Sequence, residues 1–108
     1  MIAIQIKEAY ADALTPLESS VEEAIRRLAI ERATRRITEL EQKLLAWQEK
    51  YHGSYDLIAY RTATDEAYVA ELNARPETQQ WEADLAAWEF YAAELGKWQK
   101  RFQNILTA

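Results

Sequence analysis

Residues 15–51 read TPLESSVEEAIRRLAIERATRRITELEQKLLAWQEKY, with no glycine and a proline only at position 16. Thr15-Pro16-Leu17-Glu18 is a helix-start signal. The Thr15 hydroxyl can accept from a first-turn amide, Glu18 can reach back, and Pro16 suits the first helical position. Nothing breaks the helix until Gly53, so the stretch predicts one helix over about 16–51. At 1.5 Å per residue it is about 54 Å long. A compact chain of about this size has a radius of gyration near 13 Å. Either the helix bends or the molecule is elongated.

The apolar positions of this helix fall into two stripes. Ile30, Ala33, Ile37, Leu40, Leu44, Trp47 and Tyr51 alternate steps of three and four, the period of a helix-packing seam. Leu17, Val21, Ala24, Ile25 and Leu28 form an earlier stripe, rotated from the first by roughly 140° at helical geometry. The segment LAIERATRRI, residues 28–37, is where one stripe hands over to the other. It also carries Arg32, Arg35 and Arg36, just after Arg26 and Arg27. These arginines do not share one face. Glu22, Glu23, Glu31 and Glu39 lie within one helical turn of them, which reads as a salt-bridged surface or as an electrostatic interface at Arg32, Arg35 and Arg36.

A second helix of matching period ends the chain, over about 77–106. Its stripe is Trp81, Leu85, Trp88, Tyr91, Leu95, Trp98, Phe102 and Ile105. Two seams of equal period predict an antiparallel hairpin. Gly96 is the poor helix former of this segment and is expected where another helix approaches closely. Residues 53–76 then fold at the hairpin tip, as short helices over about 54–74. Ser54 is expected to cap the first, and Thr64 the second, over Asp65 to Ala74. Pro76 stops the second. Residues 1–14 read two ways: Ile2, Ile4 and Ile6 alternate like a strand, while KEAYADAL favours a short helix. The fold class is therefore all-α, a single helical domain with a short N-terminal element; the first stripe can be covered by residues 1–14 folding back, by a second copy in an oligomer, or by a different protein.

Composition narrows the function classes. The net charge is −5 and the pI about 4.9, which disfavours direct nucleic-acid binding and suits a basic partner. Without cysteine there are no disulfides, thiolate metal sites or thiol catalysis. The start MIAIQIKEAY lacks a basic region followed by an apolar run, and no stretch approaches a membrane span. A soluble cytoplasmic protein is expected. Two glycines cannot build a phosphate loop. Glu82 and Glu89 lie on one flank beside Trp81 and Trp88, but helical di-metal sites use a Glu-x-x-His pattern. The sole histidine, His52, lies in the turn before Gly53. The reading is a non-enzyme with no catalytic residue, metal or cofactor. Tyr55, Tyr60 and Tyr68 sit at the tip, where tyrosine serves as satellite core or interface anchor.

Glu49-Lys50-Tyr51-His52-Gly53-Ser54-Tyr55, then Asp65-Glu66, then Trp81-Glu82 opening a helix, resembles a group of small prokaryotic helical proteins encoded as partners in toxin–antitoxin pairs. They share a long helix ending in a Tyr-Gly-x-Ser-type turn, an aromatic-rich tip and a Trp-Glu helix. The likeness spans about residues 40–92. This chain departs from it in its His52-Gly53 turn and its longer first half. The resemblance implies a binding partner without catalytic function, in one form an antitoxin that neutralises a basic toxin. It assigns no contact residues. From the residues themselves, the expected partner contacts are Leu17, Val21, Ile25, Leu28, Tyr55, Tyr60 and Tyr68. The alternatives are a homodimeric adaptor bundle and, third, a small helical enzyme or ligand-binding bundle.

Overall fold

A computed structural model of the chain describes residues 17–108 together with Tyr10 and Ala13. The choice between helix and strand for residues 1–14, and the start signal at Thr15 and Pro16, lie outside the described residues. Among the described residues the architecture is all-α: α1 Leu17–Tyr51, α2 Tyr55–Thr64, α3 Glu66–Ala74, a 3₁₀ turn Pro76–Thr78, and α4 Trp81–Thr107. α1 is a single uninterrupted helix of 35 residues. The molecule is elongated, 69 × 26 × 21 Å with a radius of gyration of 21.8 Å.

α1 and α4 form the expected antiparallel hairpin. Trp47 stacks on Trp88 at 6.2 Å between ring centroids and meets Tyr91 at 5.8 Å, while Tyr51 stacks on Trp88. Ala33, Leu40 and Tyr51 of the α1 seam are buried, as is Trp88 of α4. The buried centre lies at the tip, where Tyr51, Ile58, Tyr68, Leu72 and Trp88 cluster, with Leu44, Trp47, Tyr55, Trp81 and Leu85 around them. The aromatic stripe of α4 is thus packing surface. Offset ring pairs add to the stabilisation from burying their area.

The helix ends differ from expectation at three places. α1 closes with His52 in the left-handed region, φ 58°, and the Gly53 amide donates to the Gln48 carbonyl at 3.1 Å. That is a Schellman closure in which His52, not Gly53, takes the left-handed position. At Gly53 a Cβ would lie 2.9 Å from Leu57 Cδ2, the end of an exposed side chain that would have to turn aside. Ser54 caps α2 as expected, accepting from the Leu57 amide. Thr64, however, is the last residue of α2, and its hydroxyl donates back to the Tyr60 carbonyl at 2.8 Å. Asp65 caps α3, accepting from the Tyr68 amide at 3.1 Å, while its own amide closes α2 on Arg61. A carboxylate complements the helix dipole, whereas a threonine hydroxyl readily bonds back within a helix.

The last helix begins at Trp81 rather than near residue 77. Pro76 holds Arg75 extended and opens the 3₁₀ turn. The buried Thr78 hydroxyl then donates to the Leu72 carbonyl at 2.7 Å, pinning the turn to α3 before α4 can start.

Candidate interaction surface

The tip is fastened to α4 by polar contacts on the rim of the aromatic cluster. Lys50 donates to Asp84 at 2.8 Å, and the Tyr51 hydroxyl donates to the same carboxylate oxygen. Burial pushes the Asp84 carboxyl up, but the hydrogen bonds from Lys50 and Tyr51 outweigh it and leave its pKa below the ordinary value. Burial, then the Asp84 hydrogen bond, raises the Tyr51 phenol and keeps it a neutral donor. Trp81 Nε1 donates to Asn73 at 2.9 Å, and the Arg61 guanidinium lies over the Tyr68 ring at 3.7 Å. None of these cross-links is visible in the sequence, because each depends on the register between elements far apart in the chain.

The three tip tyrosines part company. Tyr68 is buried in the core cluster, so it is a packing residue and not a surface anchor. Tyr55 is half-buried, edge-on to Trp88 at 5.7 Å, with its hydroxyl donating to Glu89 at 3.3 Å. Tyr60 is 68% exposed beside an exposed Leu57. Leu45 and Phe90 are also exposed, which seam spacing gave no reason to single out.

No catalytic constellation comes together among the described residues. Glu82 is exposed, and the exposed Glu89 accepts from Tyr55, so these two carboxylates do not converge. His52 is exposed in its turn. No group of three His, Asp or Glu side chains is placed to hold a metal among the described residues. A concavity of about 410 Å³ at the tip is lined by Lys50, Arg61 and Arg75 but also by Glu71 and Glu77, a mixture of signs without a convergent set. Gly96, expected at a close helix approach, has nothing within 4 Å of an added Cβ among the described residues.

The first stripe is different. Stepping back along α1 from Tyr51 to Trp47 to Lys43 meets Asp84, Trp88 and Tyr91 of α4 in turn. In the same register Thr107, the last residue of α4, falls opposite Leu28. The N-terminal part of α1 therefore extends past the end of its partner, by about 16 Å at helical rise. Leu17 opens α1. Val21 is half-buried, while Ile25 and Leu28 are 45% and 49% exposed. The stripe handover at residues 28–37 coincides with the end of the hairpin. Around it, Arg27 pairs with Glu23 at 3.1 Å and Arg36 with Glu39 at 3.4 Å, while Arg32 and Arg35 are exposed.

No family model, curated protein or solved structure matches the chain. No helix of the described residues is long and apolar enough to cross a membrane.

Proposed function

We propose that the protein is a non-enzymatic protein-binding module that works through the open face of α1. One observation carries this reading: α1 continues past the end of α4 with Ile25 and Leu28 exposed on one face. Leaving such a half-exposed face wet forgoes roughly half of the 1.5–3 kcal/mol that full burial of each large apolar side chain contributes. A second protein surface recovers that free energy, and the neighbouring Glu and Arg side chains give it a polar rim.

The test is recovery of tagged wild-type protein and a Leu28→Glu variant from the native cell. Partners held by the wild type and lost by the variant, at unchanged helix content, support the reading. An identical set on both removes it.

The net charge of −5 favours a basic partner. In its most specific form, then, the proposal is an antitoxin that occupies the nucleic-acid channel of a basic toxin. Co-expression with the neighbouring gene product tests that form, and co-purification no better than background ends it.

A further inference from the structure

Charge is divided along the long axis of the hairpin. In the register where Lys43 lies over Tyr91, Glu39 falls opposite Leu95, one turn further along each helix. On the tip side of that line, residues 39–94 hold 12 acidic against 4 basic residues. On the other side, residues 17–38 and 95–108 hold 4 acidic against 8 basic. Three of the four tip-side bases are engaged internally: Lys43 over Tyr91, Lys50 on Asp84 and Arg61 over Tyr68. The acidity of the chain therefore belongs to one end of the molecule. The outer side of α2 lies at that end. At about 100° per residue, Asp56, Leu57, Tyr60 and Thr64 share one side of α2, turned away from the buried Ile58. All four are exposed, Tyr60 by 68% and Leu57 by 46%. Asp56 stands at one end of this apolar pair, and the exposed Asp65 and Glu66 follow at the other. Among the described residues, none of these three carboxylates has a cationic side chain within 4.0 Å. Asp65 is fixed in place by its cap on the Tyr68 amide.

We infer that this side of α2 docks a basic segment of another protein, one that carries an apolar side chain among lysines or arginines. The apolar side chain packs on Leu57 and Tyr60, and the cations beside it face Asp56, Asp65 and Glu66. Tyrosine suits the anchor role, since it buries a large ring and keeps a polar tip. The carboxylates fix the sign of the partner and speed the encounter, while acidic proteins and nucleic acids are repelled from this end. The face is short, about 15 Å for the ten residues of α2 at helical rise. The contact is therefore weak and sensitive to salt. It is separate from the open face of α1, and the two stand or fall independently.

Backbone amide shifts of the full chain, followed during titration with a lysine-rich peptide bearing a central leucine pair, test the inference. Oligolysine of equal charge is the control. The leucine-bearing peptide should move the amides of Leu57, Tyr60 and Thr64 most, and salt should weaken it. Oligolysine should bind about tenfold more weakly. Tyr60→Ala should lower the affinity for the leucine-bearing peptide about tenfold, as truncation of an interface anchor does. The double variant Asp56→Asn/Glu66→Gln should lower it similarly. These side chains are exposed, so helix content by circular dichroism should stay at the wild-type level. Leu28→Glu should leave the titration unchanged. Shifts spread evenly over residues 39–94, with equal affinity for oligolysine, would reduce the tip to a diffuse field and overturn the docking face. So would the absence of any shift at about 1 mM peptide, the weak limit of specific binding. A rise to two chain masses without peptide, abolished by Tyr60→Ala, would give the face to a second copy and overturn the basic partner. None of these outcomes depends on the recovery experiment with Leu28→Glu, so failure here and failure at the open face of α1 are distinct.

Discussion

The two halves of α1 are built from similar residues and meet different surroundings. Leu40 and Leu28 are the same side chain on the same helix, yet one is fully buried and the other is 49% exposed. The difference does not come from local propensity, since the helix is continuous through both. It comes from what each leucine meets among the described residues: Leu40 lies within the stretch that α4 packs against, and Leu28 lies at its edge. Back to about Ile30, α1 has the aromatic ladder of α4 to pack on, and its seam steps by three and four as a packed helix should. Before that point the stripe turns to another side of the helix, where the hairpin offers no surface. The change of stripe coincides with the end of the surface that α4 presents to α1 among the described residues.

Matched truncations give the largest test of this contrast. Leu40→Ala should cost about 3–5 kcal/mol, the range for a fully buried leucine whose site cannot collapse. Leu28→Ala should lie within about 0.5 kcal/mol in dilute solution, as for exposed positions. Chemical denaturation of both at low concentration measures the difference. Equal losses would mean that the first stripe is already covered within one chain.

The rim contact at the tip comes next in size. Asp84→Ala should cost about 1.5–3 kcal/mol, because it removes charge-assisted bonds from Lys50 and Tyr51. The carboxyl's folded pKa lies below its ordinary value. Its contribution is therefore complete above the unfolded value near 3.9 and lost as pH falls through the folded one. Asp84→Asn should flatten the acid limb of stability against pH, and an unchanged limb would show the contact to be incidental. The raised Tyr51 phenol works in the opposite sense, contributing below about pH 10 and fading as pH rises.

The hairpin was legible because two seams of equal period specify each other: Ala33, Leu40, Tyr51 and Trp88 lie where their spacing puts them. The tip was legible only in outline. Thr64 and Asp65 are both acceptable caps, and only the competition between their side-chain bonds makes Asp65 the hinge. α4 starts late because Thr78 anchors to Leu72, a contact between elements whose relative placement no periodicity encodes. Tyr68 and Tyr60 share a residue type and a neighbourhood, and the fold of α2 on α3 buries one and exposes the other. The open face of α1 was legible as a stripe, but its exposure depends on the register of α1 against α4, which spacing within either helix does not encode.

Gly96 tests the outer face of α4 with a smaller effect. With nothing near an added Cβ, Gly96→Ala should stabilise the isolated chain by about 0.5–1 kcal/mol. A loss of partner recovery alongside that gain would place a second contact there.

The smallest expected effect lies at the turn that joins α1 to the tip helices. His52 holds a left-handed conformation, φ 58°, that glycine occupies without steric cost. The exposed imidazole makes no hydrogen bond that would offset the strain among the described residues. His52→Gly should therefore be neutral to stabilising by about 0.5 kcal/mol, since relief of strain is partly offset by the greater freedom of glycine when unfolded. Asn at the same position should fall between the two. The midpoint of thermal unfolding reads the series at fixed concentration. If His52→Gly is clearly destabilising instead, the imidazole contributes an interaction at the tip, and the closure of α1 would no longer be a purely backbone device like the Gly53–Gln48 bond beside it.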